Sequence, residues 1–254
     1  MAYPPVHDED IERFRRQGFL VVRDAIDPKD LVSLERACDR ILEKKHKVAF
    51  DWAWDQDRSK EERLFRIVQA SPSTLNPGLL SENPFRIWMH EFAARLLGLQ
   101  LEFWYDQFLA KPPDISAATD WHQDEGYWGR NLNDKGITCW LPMHDVDENN
   151  GCMFFVPGGH KDGILEHRRV AGTQSDLLHC EVDASKAIAC PLRFGDVTFH
   201  HSKTPHMTPR NKSRKWRRAL TNHFKFIDAQ GEGDHFPWKV YVNQYTGEVT
   251  VPDA

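Results

Sequence analysis

The sequence predicts a mainly β chain, a sandwich or jelly roll, with helices flanking it at the N-terminal end. Two textures lead there. Before residue 100, apolar residues recur at three- and four-residue steps, the period of a helix face. Beyond it, short apolar runs alternate with turn residues at the spacing of an all-β core. No linker-like stretch separates the two parts. One domain over residues 1–254 is therefore expected, with a helical portion to about residue 100 and a β core over 101–254.

Each element has its own signal. Residues 8–17 (DEDIERFRRQ) open with acids and stop before Gly18, as a short helix does. Residues 19–23 form a short apolar strand. Asp27-Pro28 starts a second helix, with Asp27 as N-cap and Pro28 at the first helical position. Leu31, Leu34, Cys38, Ile41 and Leu42 give that helix one apolar face, and Lys44-Lys45 suit its C-terminus. Residues 85–98 read as a third helix, closed by Gly98. Residues 51–62, polar and irregular around Trp52 and Trp54, are expected to form a loop near the mouth of the site, a lid. Strands are expected over 101–110, 137–146, 152–156, 196–201 and 219–227, with a final edge strand over 238–242.

The bulk numbers bound the function. With 254 residues, 40% apolar, 28% charged and a mean hydropathy of −0.62, the chain has an ordinary globular composition. A net charge of −5 gives no reason to expect a nucleic-acid partner. The basic run 210–218 (RNKSRKWRR) can bind phosphate but reads mainly as a solvated turn. Cys38, Cys139, Cys152, Cys180 and Cys190 are odd in number and lack a C-x-x-C pair, which predicts free thiols in a reducing cytoplasm. The polar, acidic first residues predict no signal peptide, and no apolar run nears the ~20 residues of a membrane helix.

The strongest local signal is Trp121-His122-Gln123-Asp124. Residues two apart on a strand face the same way, so His122 and Asp124 are expected side by side. An imidazole and a carboxylate are two members of the 2-His-1-carboxylate triad, which leaves three positions of an octahedral iron open. An H-x-D alone is common, and the triad needs a second histidine. Residues 195–218 offer His200, His201 and His206, and the residue types alone leave that choice open.

The order of motifs narrows it. Gly195-Asp196, the apolar residues 197–199, His206, Asn211 and Arg217-Arg218 together resemble the closing motif of the phytanoyl-CoA dioxygenase family. Upstream, Lys111-Pro112-Pro113 and the W-H-Q-D segment resemble that family's K-P-P and W-H-x-D. Residues 147–151 (DENNG) and 156–161 (VPGGHK) resemble its ENG turn and P-G-S-H-K loop, and residues 14–22 (FRRQGFLVV) resemble its opening. Gly159 stands where the family has serine.

The resemblance implies a double-stranded β-helix (a cupin-like jelly roll) and a non-haem Fe(II)- and 2-oxoglutarate-dependent dioxygenase. It implies that His122, Asp124 and His206 hold the iron. It also implies that Arg217 grips the far carboxylate of 2-oxoglutarate with its planar fork. The adjacent Arg218 would face the other way on a strand. Trp140, Thr208 and Gln107 match positions around the cosubstrate, and Arg66 stands for a basic residue that contacts 2-oxoglutarate or substrate. His200 and His201 are expected to be structural or to support a ligand. Apart from the resemblance, Tyr127-Trp128 lies just past the H-x-D segment and is a candidate to cover the substrate, while core packing is the role expected of most of the nine tryptophans. The other histidines, His223 and His167 among them, are expected to be structural or exposed.

Halogenating members of the resembled group lack this carboxylate, so with Asp124 present the resemblance implies oxygenation rather than halogenation. The implied reaction hydroxylates a small organic molecule with O2, releasing succinate and carbon dioxide, with ascorbate as reductant in vitro. The expected protein is a cytoplasmic monomer or homodimer without a nucleic-acid or membrane partner. Two alternatives accompany this reading. The same iron site can desaturate, epimerise or cyclise a secondary metabolite. A non-catalytic jelly roll that binds a metal or ligand is the alternative of another class.

Overall fold

The computed structural model describes residues 3–51, 65–75, 84–128, 135–169 and 177–226. Local chemistry sets the helices. α1 (Asp8–Gln17) has acids in its first turn, arginines in its last, and ends on Gly18 at φ 80°, the left-handed conformation that glycine adopts freely. Strand β1 (Phe19–Val22) follows. α2 (Pro28–Glu43) is capped by Asp27, whose side chain accepts the Lys29 N–H. Then come α3 (Lys45–Val48), β2 (Phe50–Asp51), β3 (Val68–Ala70), α4 (Pro72–Leu75) and α5 (Pro84–Leu97). All three expected helices are present.

The second part is strand-rich: β4 (Leu101–Lys111), β5 (Thr119–His122), the short helix α6 (Asp124–Trp128), β6 (Gly136–Pro142), β7 (Met153–Phe155), β8 (His167–Arg169), β9 (Leu178–Cys180), β10 (Ile188–Cys190), β11 (Val197–His201), β12 (His206–Thr208) and β13 (Arg217–Phe226). A seven-stranded sheet runs β1-β11-β6-β13-β4-β3-β2, and a four-stranded sheet runs β10-β7-β12-β5. Strands β8 and β9 pair separately. Among the described residues every ladder between these strands is antiparallel, and the architecture is the expected jelly roll.

Strand alternation divides the large sheet into two faces. Phe108, Cys139, Leu141, Phe199, Leu220 and Phe224 meet Leu31, Leu34, Phe85, Met89 and Phe92 of the helices in the main core. Each such buried side chain contributes about 1.5–3 kcal/mol. The opposite face looks toward the small sheet, and the space between the sheets is the cavity described below.

One turn ties the layers together. Gly195 has φ +102°, and a Cβ there would stand 2.5 Å from the Ile26 carbonyl oxygen. The adjacent Asp196 accepts the N–H groups of Asp24 and Arg193 and the Arg23 guanidinium, each within 2.9 Å.

Some boundaries differ from expectation. The strand expected over 137–146 ends at Pro142, which has no N–H to extend a ladder, and Val146 makes only an isolated bridge to Leu192. Strands β7, β9, β10 and β12 have three residues each, too few to display a period. The lid expected over 51–62 lies, after Asp51, outside the described residues, as does the edge strand expected over 238–242. Among the described residues no helix is long and apolar enough to cross a membrane.

Candidate metal centre and cosubstrate pocket

In the small sheet, β12 lies between β7 and β5, and the register sets His206 directly opposite His122. Their ring centroids are 4.1 Å apart. His122 Nδ1 lies 2.6 Å from the Asp120 carbonyl, and His206 Nδ1 lies 2.8 Å from the Thr204 carbonyl. A carbonyl only accepts, so each Nδ1 carries the proton and each Nε2 presents a bare lone pair.

Asp124 arrives by another route than the one expected. β5 ends at His122, and Asp124 is the first residue of α6, so strand alternation does not bring it beside His122. The turn through Gln123 does. Gln123 is fully buried, its amide donating to the Gly163 and Lys203 carbonyls at 2.8 and 2.7 Å. Its Oε1 accepts the Leu165 N–H at 2.7 Å, and its own N–H donates to His167 Nε2 at 3.0 Å. Held there, Asp124 Oδ1 lies 3.5 Å from His206 Nε2 and 4.0 Å from His122 Nε2. Donors sharing one face of an ion at bond lengths of about 2.1 Å stand roughly 3 Å apart, so the triad is close to closing on a metal.

All three groups are buried, and among the described residues they are the one cluster with metal-ligand spacing. Burial draws His122 down to about 4 and His206 well below its ordinary value, the nearby imidazoles adding to the effect on His206. Burial pushes Asp124 up, but His206 and the hydrogen bond from His200 outweigh it and hold the carboxyl well below its usual range. Neutral imidazoles and an ionised carboxylate are the forms that bind a divalent cation.

The cavity continues from the triad between the sheets. Arg217 and Thr221 of β13, Gln107 and Leu109 of β4 and Trp140 of β6 line its wall on the large sheet. Arg217 is 1% exposed; Nη1 donates to the Leu109 carbonyl at 3.2 Å, and Nε has no partner. Among the described residues no carboxylate pairs with it. Arg218 turns the other way, to Glu35 at 3.1 Å and to Asp39. Lys111 is opposite Arg217 in register and fully buried. Its Nζ donates to Thr208 Oγ1 at 2.7 Å, the Thr208 carbonyl at 2.9 Å and the Pro209 carbonyl at 3.0 Å, which occupies all three ammonium hydrogens. Burial and the Arg217 charge hold Lys111 well below its ordinary value. Two buried basic groups with no carboxylate in contact among the described residues are costly unless an anion joins them.

His122, Asp124, His206, Gln107, Trp140, Thr208 and Arg217 all line this one cavity, as do Tyr127 and Trp128 at the far end of α6. Arg66 does not: its carbonyl accepts the Ala117 N–H at 3.3 Å, and its neighbour Ile67 faces the space. His200 also lines the cavity, with Nε2 3.1 Å from Asp124 Oδ2. His201 is buried outside it and accepts the Lys203 N–H at Nδ1. Sequence reasoning missed Lys111 and His223. Even spacing was the signal: Lys111 is four past Gln107 on β4, and His223 is six past Arg217 on β13, so each shares a face with a residue already chosen.

Similarity to known proteins agrees with this geometry. The mouse peroxisomal phytanoyl-CoA dioxygenase (Mus musculus) is 27% identical over 235 residues, covering 89% of this chain and 64% of the relative. The human protein is 25% identical over 241 residues, covering 89% and 66%. The chain thus spans just under two thirds of these relatives' length. The crystal structure of EvdO2 from Micromonospora carbonacea var. aurantiaca, complexed with 2-oxoglutarate, superposes with a TM-score of 0.70 at 26% identity, covering 93% of this chain and 98% of that one. The non-haem α-ketoglutarate-dependent carbocyclase SnoK from nogalamycin biosynthesis gives a TM-score of 0.65 at 25% identity, covering 88% and 85%. The profile of phytanoyl-CoA dioxygenase (PhyH) matches residues 14–219, and the chain belongs to that family.

Proposed function

We propose that the protein is an Fe(II)- and 2-oxoglutarate-dependent dioxygenase that hydroxylates a small organic molecule, with release of succinate and carbon dioxide. The observation that carries the reading is a facial set of two neutral imidazoles and one carboxylate opening into the same cavity as a buried, acid-free arginine. His122, Asp124 and His206 hold the iron. Iron, 2-oxoglutarate and O2 together supply the oxidising power for attack on a C–H bond.

The chain's own residues bind, orient and exclude water. Arg217 takes the far carboxylate of 2-oxoglutarate, its orphaned Nε completing a fork. Thr208 accepts from Lys111, so its own hydroxyl proton is left to donate to that carboxylate. Lys111 contributes charge from behind rather than a direct hydrogen bond. Trp140 and Gln107 flank the cosubstrate. Tyr105, Tyr127 and Trp128 form an aromatic, uncharged wall suited to an uncharged part of the substrate.

The likeness to a carbocyclase favours one second reading, in which the same iron site cyclises its substrate. Five free, buried cysteines suit a reducing compartment such as the cytoplasm.

The test is succinate formation from 2-oxoglutarate with Fe(II) and ascorbate. Asp124→Ala and His206→Ala are each expected to abolish it, while His201→Ala retains measurable turnover. The opposite result for the two histidines overturns the ligand assignment. Persistent absence of succinate in the wild type, across varied substrates, favours a non-catalytic binding jelly roll.

A further inference from the structure

Asp124 presents two oxygens, and they have different surroundings. Oδ1 faces His122 and His206. Oδ2 accepts from Thr138 Oγ1 at 2.6 Å and from His200 Nε2 at 3.1 Å. The protons follow from the partners. A carboxylate only accepts, so the single hydroxyl proton of Thr138 points at Asp124. His223 Nδ1, 2.8 Å from Thr138 Oγ1, must then carry a proton and donate it. His223 Nε2 is left bare, 3.1 Å from the Thr221 hydroxyl and 2.9 Å from Gln107 Oε1, so the Gln107 amide fits this proton arrangement only when its oxygen and nitrogen are exchanged, a choice that hydrogen bonding alone decides. His200 Nε2 likewise carries its proton, and its buried, unpartnered Nδ1 is the bare nitrogen.

These side chains form a row across the large sheet. His200 is opposite Thr138, Thr138 opposite His223, and His223 opposite Tyr105, on strands β11, β6, β13 and β4. In the opposed direction, Tyr105 stacks on His223 with centroids 4.2 Å apart. The row is therefore braced at the end remote from Asp124.

We propose that Thr138 and His200, with His223 orienting the Thr138 hydroxyl, are positioning residues that hold Asp124 as a one-oxygen ligand. The inference rests on the iron-triad reading. A carboxylate with a free outer oxygen can swing to bind a metal through both oxygens and close one of the three open positions. Two donors on Oδ2 forbid that swing. The open positions needed by a chelating cosubstrate and by O2 are thus kept by residues that never touch the metal.

Mn(II), which binds such sites without turnover, reads this directly in the full chain. Water-proton relaxation counts the exchanging waters on bound Mn(II). The wild type is expected to show three waters, and the Thr138→Val/His200→Phe double variant two, a fall of about a third. Thr138→Ser, which keeps the hydroxyl, is expected to match the wild type. Thr138→Val and His200→Gln alone are expected to give values between wild type and double variant, so the test survives poor folding of the double variant. Wild-type relaxation in Thr138→Val and in the double variant, each with one Mn(II) bound, overturns the proposal. A wild type that binds no Mn(II) removes the iron reading itself, and this inference with it.

Discussion

Arg217 is a guanidinium buried against a carbonyl and an indole face, with no acid paired to it among the described residues. Its replacement therefore separates binding from stability. In Arg217→Met the affinity for 2-oxoglutarate, measured by anaerobic titration of the Fe(II) protein, is expected to fall about 10- to 100-fold, the worth of a charge-assisted fork. The melting temperature of the ligand-free variant is expected to hold or rise, because an uncompensated buried charge has gone. A lower melting temperature with unchanged affinity contradicts the assignment. His223 gives a pH test. Burial lowers it from 6.5 to about 3, so between those values the unfolded chain takes up a proton that the folded chain refuses. Its contribution is complete above pH 6.5 and is lost as pH falls toward 3. His223→Gln is expected to flatten the acid limb of the stability curve, by about 2 kcal/mol between roughly pH 6.5 and 5. An unchanged slope contradicts a neutral, buried His223.

At the scale of elements, legibility followed the reach of the signal. α1, α2 and α5 carry acids, an N-cap or a terminal glycine within a few residues of their ends, and each is readable locally. β12 has three residues, and its pairing with β5 joins parts of the chain that no local pattern connects. His122, Asp124 and His206 were legible as candidates from ordered motifs, but the reason for their meeting was not. His122 and Asp124 converge through a strand-to-helix turn fixed by Gln123, whose partners at 163, 165 and 203 are distant in sequence. Lys111 and His223 were within reach of the period-two argument applied to their own strands. The Gly195-Asp196 turn belongs to this scale too. Gly195→Ala drives a Cβ toward the Ile26 carbonyl in a conformation that L-residues avoid, and is expected to destabilise by about 1–3 kcal/mol in a denaturant titration. A change within error would mean that the α2 entry loop yields freely.

For the whole molecule, the helices and the large sheet share one core. Leu31 and Leu34 of α2, Phe85 and Phe92 of α5, and Phe199 and Leu220 of the sheet belong to one buried cluster. We expect one cooperative unfolding transition, with far-ultraviolet dichroism and tryptophan fluorescence coinciding. Two separated transitions would divide the chain near residue 100. The short helix α6 has a consequence at this scale. Its five residues begin with the Asp124 carboxylate and end with two rings, all three on the cavity wall. Tyr127 receives the Leu178 N–H at 2.7 Å and Trp128 donates to the Tyr105 hydroxyl at 2.7 Å, so each ring is held by its own hydrogen bond. A molecule resting on either ring therefore sits only three or four residues along the chain from the Asp124 carboxylate.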